Sequence, residues 1–236
     1  MAGGAGKQSG WSPRSAAAGQ MALAVVPGLL YTFFPNLLGT EQLVRVGFKC
    51  TTIAALQAIV LALKRPAQLT TRTWTLTLGA LFFSMLGDAA LLYEHLFTAG
   101  LASFLIAHIL YAVMFSSGLR VRPAALLASG LLVVAALAIL VPSMLETNKD
   151  LLVPVVLYTV AISTMQVTAA CGSHHNTTAA TIGAWLFTIS DLTIAIGKFV
   201  TPVPYAHEII HLLYFVGQCF LTLSVFPSKL TKPRKD

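Results

Sequence analysis

The sequence predicts an all-α polytopic membrane protein of eight transmembrane helices. Hydrophobic residues make up 56% of the chain and charged residues only 10%, against about a quarter charged in an ordinary soluble domain; mean hydropathy is +0.79. The charges gather between apolar runs, each near the ~20 residues that cross a bilayer as a helix. Two of those runs nevertheless hold a carboxylate deep inside them, at Asp88 and Asp191.

Residues 1–18 are small and polar, with Lys7 and Arg14 and no hydrophobic period, and are expected to form a disordered tail. Ala2 excludes N-myristoylation, which needs glycine there, and no small-x-small site follows the first apolar run to mark a cleaved signal. One membrane domain is expected over 19–226. Its spans are read at about 18–35, 46–63, 74–93, 99–118, 123–141, 151–171, 179–197 and 208–226. Pro27 and Pro35 interrupt or end the first, and Lys49 and Gln57 make the second amphipathic; membrane helices accept proline where neighbours satisfy the freed carbonyl. Residues 227–236 read as a basic C-terminal tail.

With the N-terminus inside, cytoplasmic segments hold 11 of the 15 lysines and arginines, leaving Arg45, Lys49, Lys149 and Lys198 at or near the outer ends. Both termini are therefore expected in the cytoplasm, and the sequon at Asn176 falls on the unglycosylated side. The net charge of +7 is read as cytoplasmic loops beside a membrane, not as a nucleic-acid surface. Cys50, Cys171 and Cys219 show neither CxxC nor CxxxH spacing, so no disulfide or thiolate metal site is expected.

A carboxylate at the centre of a membrane helix costs ~2.5–3.5 kcal/mol on insertion scales, so Asp88 and Asp191 are expected to face a cavity and to work there. They lie 103 positions apart, and the same offset carries His108 onto His211 and Tyr111 onto Tyr214. An even number of spans separates the two sets, which makes the pattern a parallel four-plus-four repeat; a duplication and a coincidence in so biased a composition both stay open. Ser84 at i−4 from Asp88 and Thr188 at i−3 from Asp191 place a hydroxyl on each acid's own helical face, or serve as interhelical glue. His108 and Tyr111 form one polar stripe, and His211, Tyr214 and Gln218 another. Tyr158, with Thr159, Ser163 and Gln166, makes span six polar enough to line a cavity. Two aspartates and two histidines without HxxxH or ExxH spacing do not make a metal site, and no cofactor is implied. Lys49 and Lys198 are candidate contacts for a phosphate headgroup, with snorkelling as the alternative. His174 and His175 read as a solvated loop.

Four segments carry a family pattern: LGDAALL in span three, AHILYAVMF in span four, SDLTIAIGKF followed by PVPY at span seven, and YFVGQ in span eight. Together they resemble the YhhN family of eight-span membrane lysoplasmalogenases. The resemblance implies an ether hydrolase that acts within the bilayer on a lysophospholipid, cleaving the vinyl-ether bond of lysoplasmalogen to a fatty aldehyde and glycerophosphocholine or glycerophosphoethanolamine. It also implies an endoplasmic-reticulum membrane. The family's proposed catalytic aspartates match Asp88 and Asp191, with Lys49, Ser84, His108, Tyr111, Tyr158, Thr188, Ser190, Lys198, Tyr214 and Gln218 as substrate-binding or supporting positions. His211 and Gly197 depart from the pattern. Vinyl ethers hydrolyse by protonation on the β-carbon and capture of the oxocarbenium ion by water, so one carboxyl must be protonated and one ionised. Two acids sharing a low-dielectric site favour that division, and the spans are expected to bring the two aspartates face to face. A lipid or proton-coupled transporter using the same aspartates is the competing reading.

Overall fold

A computed structural model describes residues 12–39, 41–174 and 176–229, and these are helical, with no strand among them. The helices are α1 (Pro13–Ala24), α2 (Val26–Phe33), α3 (Gln42–Leu63), α4 (Thr71–Ala90), α5 (Phe97–Phe115), α6 (Pro123–Thr147), α7 (Lys149–Cys171), α8 (Thr177–Phe199) and α9 (Ala206–Leu223). Among the described residues, seven stretches are long and apolar enough to cross a membrane: α1 with α2 as one, then α3, α5, α6, α7, α8 and α9. The remaining long helix, α4, spans 20 residues. Its hydropathy is lowered by Thr71, Arg72, Thr73, Thr75 and Thr77 in the first two turns and by Ser84 and Asp88 further on. Two of those hydroxyls bond back to their own helix, Thr75 to the Thr71 carbonyl at 2.9 Å and Thr77 to the Thr73 carbonyl at 2.7 Å, which meets the polar demand without water. An eight-span bundle is compatible with this arrangement.

The first helix starts inside the stretch expected to be tail. Ser12 and Ser15 exchange side-chain and backbone hydrogen bonds as a capping box, and Pro13 occupies the first turn, where its missing N–H costs nothing. Ala17 and Met21 are buried, and Arg14 Nε donates to the Phe226 carbonyl at 3.0 Å, tying the start of this helix to the segment after α9. Residues 1–11 and 230–236, the greater part of both expected tails, lie outside the described residues, as does His175. Pro27 ends α1 as expected: lacking an N–H, it breaks the ladder near Val25, and α2 resumes.

Two helical hairpins form the centre of the bundle, α4 with α5 and α8 with α9. At Gly183 the α8 and α9 backbones touch: a Cβ there would lie 2.7 Å from Leu221 N and 2.8 Å from Gly217 O, the close approach that small residues permit in membrane helices. In the other hairpin Gly87 leaves room for the Phe104 ring, which a Cβ would meet at 2.6 Å. α3 packs on α4 and on α9, while α7 packs on α8 and on α5. Each hairpin is thus flanked by a helix that also touches the other hairpin. Arg72, in the first turn of α4, donates to Ser117 Oγ at 2.8 Å and reaches the Val113 and Met114 carbonyls, placing a cation at the C-terminal end of α5. α6 lies at the edge, with Leu127, Leu131 and Val134 exposed toward the lipid.

Candidate active site

Asp88 is 1% exposed, so its carboxylate must be met by protein groups. Lys49 from α3 places Nζ 3.2 Å from Oδ1, and Tyr214 from α9 donates its hydroxyl to Oδ2 at 2.6 Å. One turn along α9, Gln218 donates to Ser84 Oγ at 2.9 Å and accepts the Tyr111 hydroxyl at 2.8 Å. Lys49, Ser84, Asp88, Tyr111, Tyr214 and Gln218 therefore form one connected network assembled from α3, α4, α5 and α9.

Asp191 has a different set of partners. Tyr158 of α7 donates to Oδ2 at 2.5 Å, and His108 Nε2 lies 2.8 Å from the Tyr158 oxygen and 3.2 Å from Oδ2. The tyrosine proton is committed to the carboxylate, which makes Nε2 the donating nitrogen of His108. Among the described residues no group hydrogen-bonds Oδ1. Asp191 lines a pocket between α5, α6, α7 and α8, walled by apolar residues such as Phe97, Leu101, Leu140, Val155 and Ile162, with Tyr158, Thr159, Ser163 and Thr188 adding its polar groups. Asp88 does not line it.

The two networks meet across aromatic rings. Phe187 sits 4.8 Å from the His108 ring and 5.2 Å from the Tyr214 ring, and Phe104 packs edge-on against both Phe187 and Tyr214. Each acid has its own set of partners, because each turns to the flanking helix of its own half and to the hairpin of the other. Asp88 is held by α3 and α9, Asp191 by α7 and α5.

A model of the YhhN family matches residues 44–225. The chain belongs to the YhhN family. Its relatives include the lysoplasmalogenase TMEM86B of Sus scrofa, 35% identical over 158 residues, and that of Homo sapiens, 34% identical over 156. These alignments cover 66% and 65% of this chain and span 65% of the length of each relative. The lysoplasmalogenase TMEM86A of Bos taurus is 33% identical over 193 residues, 77% of this chain and 78% of its own. No solved structure matches the chain.

All nine residues of the two networks fall within the part matched to the YhhN family, whereas α1 and α2 precede it. The sequence expectations need correction at several of the other positions. Lys49 is not at a headgroup; it is buried against Asp88, since a lysine and an acid in apolar surroundings each cost less as a pair. Neither near-neighbour hydroxyl reaches its aspartate: Ser84 accepts from Gln218, and Thr188 donates to the Ala184 carbonyl of its own helix at 2.8 Å. Ser190 donates to the Ile210 carbonyl at 2.9 Å and so fastens α8 to α9 rather than serving the pocket. His211 does not reproduce His108. Its Nδ1 is 2.6 Å from the His207 carbonyl and its ring packs on Tyr31. His174 packs its ring on Phe115 at 4.7 Å, so it is not simply solvated. Phe187 and Phe104 were missed, although Phe187 stands at i−4 from Asp191 and shares its face.

Proposed function

We propose that the chain is a lysoplasmalogenase that hydrolyses the vinyl-ether bond of a single-chain ether phospholipid, and that Asp191 is the carboxyl that meets the substrate. The observation that carries this reading is Asp191 itself: an acid with one oxygen held by Tyr158 and the other unengaged, in the wall of an otherwise apolar pocket. Its YhhN relatives bear the name lysoplasmalogenase, which supports the same chemistry.

The reaction proceeds in three balanced steps. The Asp191 carboxyl gives its proton to the β-carbon; the alkene π pair forms the new C–H bond, and positive charge falls on the ether-bearing carbon. Tyr158 and His108 hold Oδ2 as the carboxylate forms, and that anion stabilises the oxocarbenium ion beside it. Water then bonds to the cationic carbon and returns a proton to Asp191, giving a hemiacetal. Its C–O bond breaks with proton transfer to the leaving oxygen, releasing aldehyde and the glycerophospho-alcohol. Asp88, outside the pocket and paired with Lys49, is assigned to positioning: through Tyr214, Phe104 and Phe187 it fixes the wall on which His108 rests. We further propose eight spans with both termini in the cytoplasm, and residence in the endoplasmic-reticulum membrane on the family resemblance. The test is incubation of the purified protein in detergent with lysoplasmalogen. Free fatty aldehyde in stoichiometric amount with glycerophospho-alcohol is expected; no aldehyde from a monodisperse preparation removes the reading, and a transporter would release none because it moves the lipid without breaking its ether bond.

A further inference from the structure

The end of the pocket away from Thr188 is closed by Phe97 and Phe199, whose rings meet edge to face at 6.1 Å. Two opposite charges stand directly beside those rings. Lys198, next to Phe199 in sequence, places Nζ 3.8 Å from Glu94 Oε1 and 5.0 Å from the centre of the Phe97 ring. Glu94 opens the short 3₁₀ turn that leads into Phe97. The Glu94 side chain is 92% exposed and that of Lys198 37%, so solvent screens the pair, which is held only weakly and opens readily to a competitor.

We propose that Glu94, Lys198 and Phe97 form the subsite that reads a zwitterionic phosphate–ammonium headgroup, a deepening that rests on the reading of the pocket as a lysolipid site. The phosphate takes Lys198, the ammonium takes Glu94, and the Phe97 face, already suited to a cation, lies under the ammonium. Spacing along α8 agrees. Lys198 follows Asp191 by seven residues, two turns on the same helical face, which is about 10 Å of axial rise. The flexible lysine stem spans part of that distance. The glycerophosphate spacer of the lipid covers the remainder, so the vinyl ether reaches Asp191 while the phosphate stays at Lys198. The hydrocarbon tail then continues past Asp191 toward Ile162, Leu132 and Thr188, which line the same pocket. Lys49, buried against Asp88, is not available for this task.

Binding of saturated alkyl-ether lysolipids tests the subsite independently of catalysis, because these lack the double bond and are not hydrolysed. Three are compared on parent, Lys198→Gln and Glu94→Gln proteins in detergent: one with a phosphoethanolamine headgroup, one with a bare phosphate, and a neutral alkylglycerol. Lys198→Gln should weaken both phosphate-bearing lipids about three- to fivefold, the scale of one partly exposed charge contact, and leave alkylglycerol unchanged. Glu94→Gln should weaken only the zwitterion and leave the bare phosphate as tight or tighter, since Lys198 is released. Equal changes on all three lipids, or none on any, would overturn the assignment. Failure of the parent to release aldehyde in the hydrolysis assay overturns the catalytic reading alone, and the binding series still decides the subsite.

Discussion

Replacing Asp88 by asparagine should damage the fold more than the chemistry. Asparagine keeps the size of the side chain and an oxygen for the Tyr214 hydroxyl, but it leaves the Lys49 ammonium facing a neutral amide. Lysine and aspartate side chains are 7% and 1% exposed, so neither water nor a headgroup is at hand to replace the lost charge. Breaking a buried pair by removing one partner costs ~3–5 kcal/mol. For a chain of this size, with ~2–4 °C of melting temperature per kcal/mol, that corresponds to a fall on the order of 10 °C. Lys49→Met alone should cause a comparable loss through the stranded carboxylate. The double variant Lys49→Met with Asp88→Asn removes both charges and should recover most of the stability, because a buried pair exchanged for neutral groups is often harmless. Thermal unfolding of the four proteins in one detergent, followed by loss of monodisperse protein, gives the cycle directly. If Asp88→Asn melts with the parent, or if the double variant is as unstable as the sum of the singles, the pairing described here is wrong.

Asp191→Asn, by contrast, strands no cation and should melt within a few degrees of the parent while losing ~10²–10⁴ in turnover, the range associated with general acid–base catalysis; turnover near the parental value in a folded variant would dismiss the residue from the mechanism. Tyr158→Phe removes one hydrogen bond to a charged group, a contribution of ~1.5–3 kcal/mol, and should lower kcat by roughly 10- to 100-fold with KM little changed; a pure KM effect would make Tyr158 a substrate contact instead. Gly183→Val drives a branched side chain into Leu221 N and Gly217 O and should abolish monodisperse expression, whereas Gly197→Ala, with nothing within 4 Å of the added carbon, should be neutral; equal behaviour of the two would deny the α8–α9 contact. Asn176 should carry no glycan when the chain is made in microsomes, and an enzyme-sensitive mass shift abolished by Asn176→Gln would reverse the proposed orientation.

What was legible in the sequence was whatever depends on one helix at a time. Asp88 and Asp191 stood out because a charge in an apolar run is visible without knowing its neighbours, and the stripes of His108 with Tyr111 and Tyr214 with Gln218 followed from helical spacing alone. Which stripe meets which acid was not legible. Tyr214 serves Asp88 from 126 positions away and Tyr158 serves Asp191 from 33, and only the packing of α3 on α9 and of α7 on α5 decides it. The 103-residue offset foretold equivalent helices but not equivalent side chains, so it placed His108 correctly in the centre and misplaced His211. Lys49 was read as a headgroup contact because span two was placed at about 46–63, which puts Lys49 at its outer end; α3 starts earlier, at Gln42, and the burial of Lys49 depends on Asp88, an acid on another helix. The start of α1 was hidden for a local reason. The capping box at Ser12 and Ser15 uses serine at both positions, which in a small polar stretch is hard to tell from a tail.

The central claim is that Asp191 delivers a proton to carbon, and an isotope experiment addresses it most directly. Parent and Asp191→Asn proteins, matched for monodisperse behaviour, are incubated with lysoplasmalogen in D₂O, and the released aldehyde is analysed for deuterium over a time course. The account predicts that the parent yields aldehyde carrying one deuterium on the carbon next to the carbonyl, and that Asp191→Asn yields at least a hundredfold less. Aldehyde without that deuterium, or labelled aldehyde formed at the parental rate by Asp191→Asn, would contradict it.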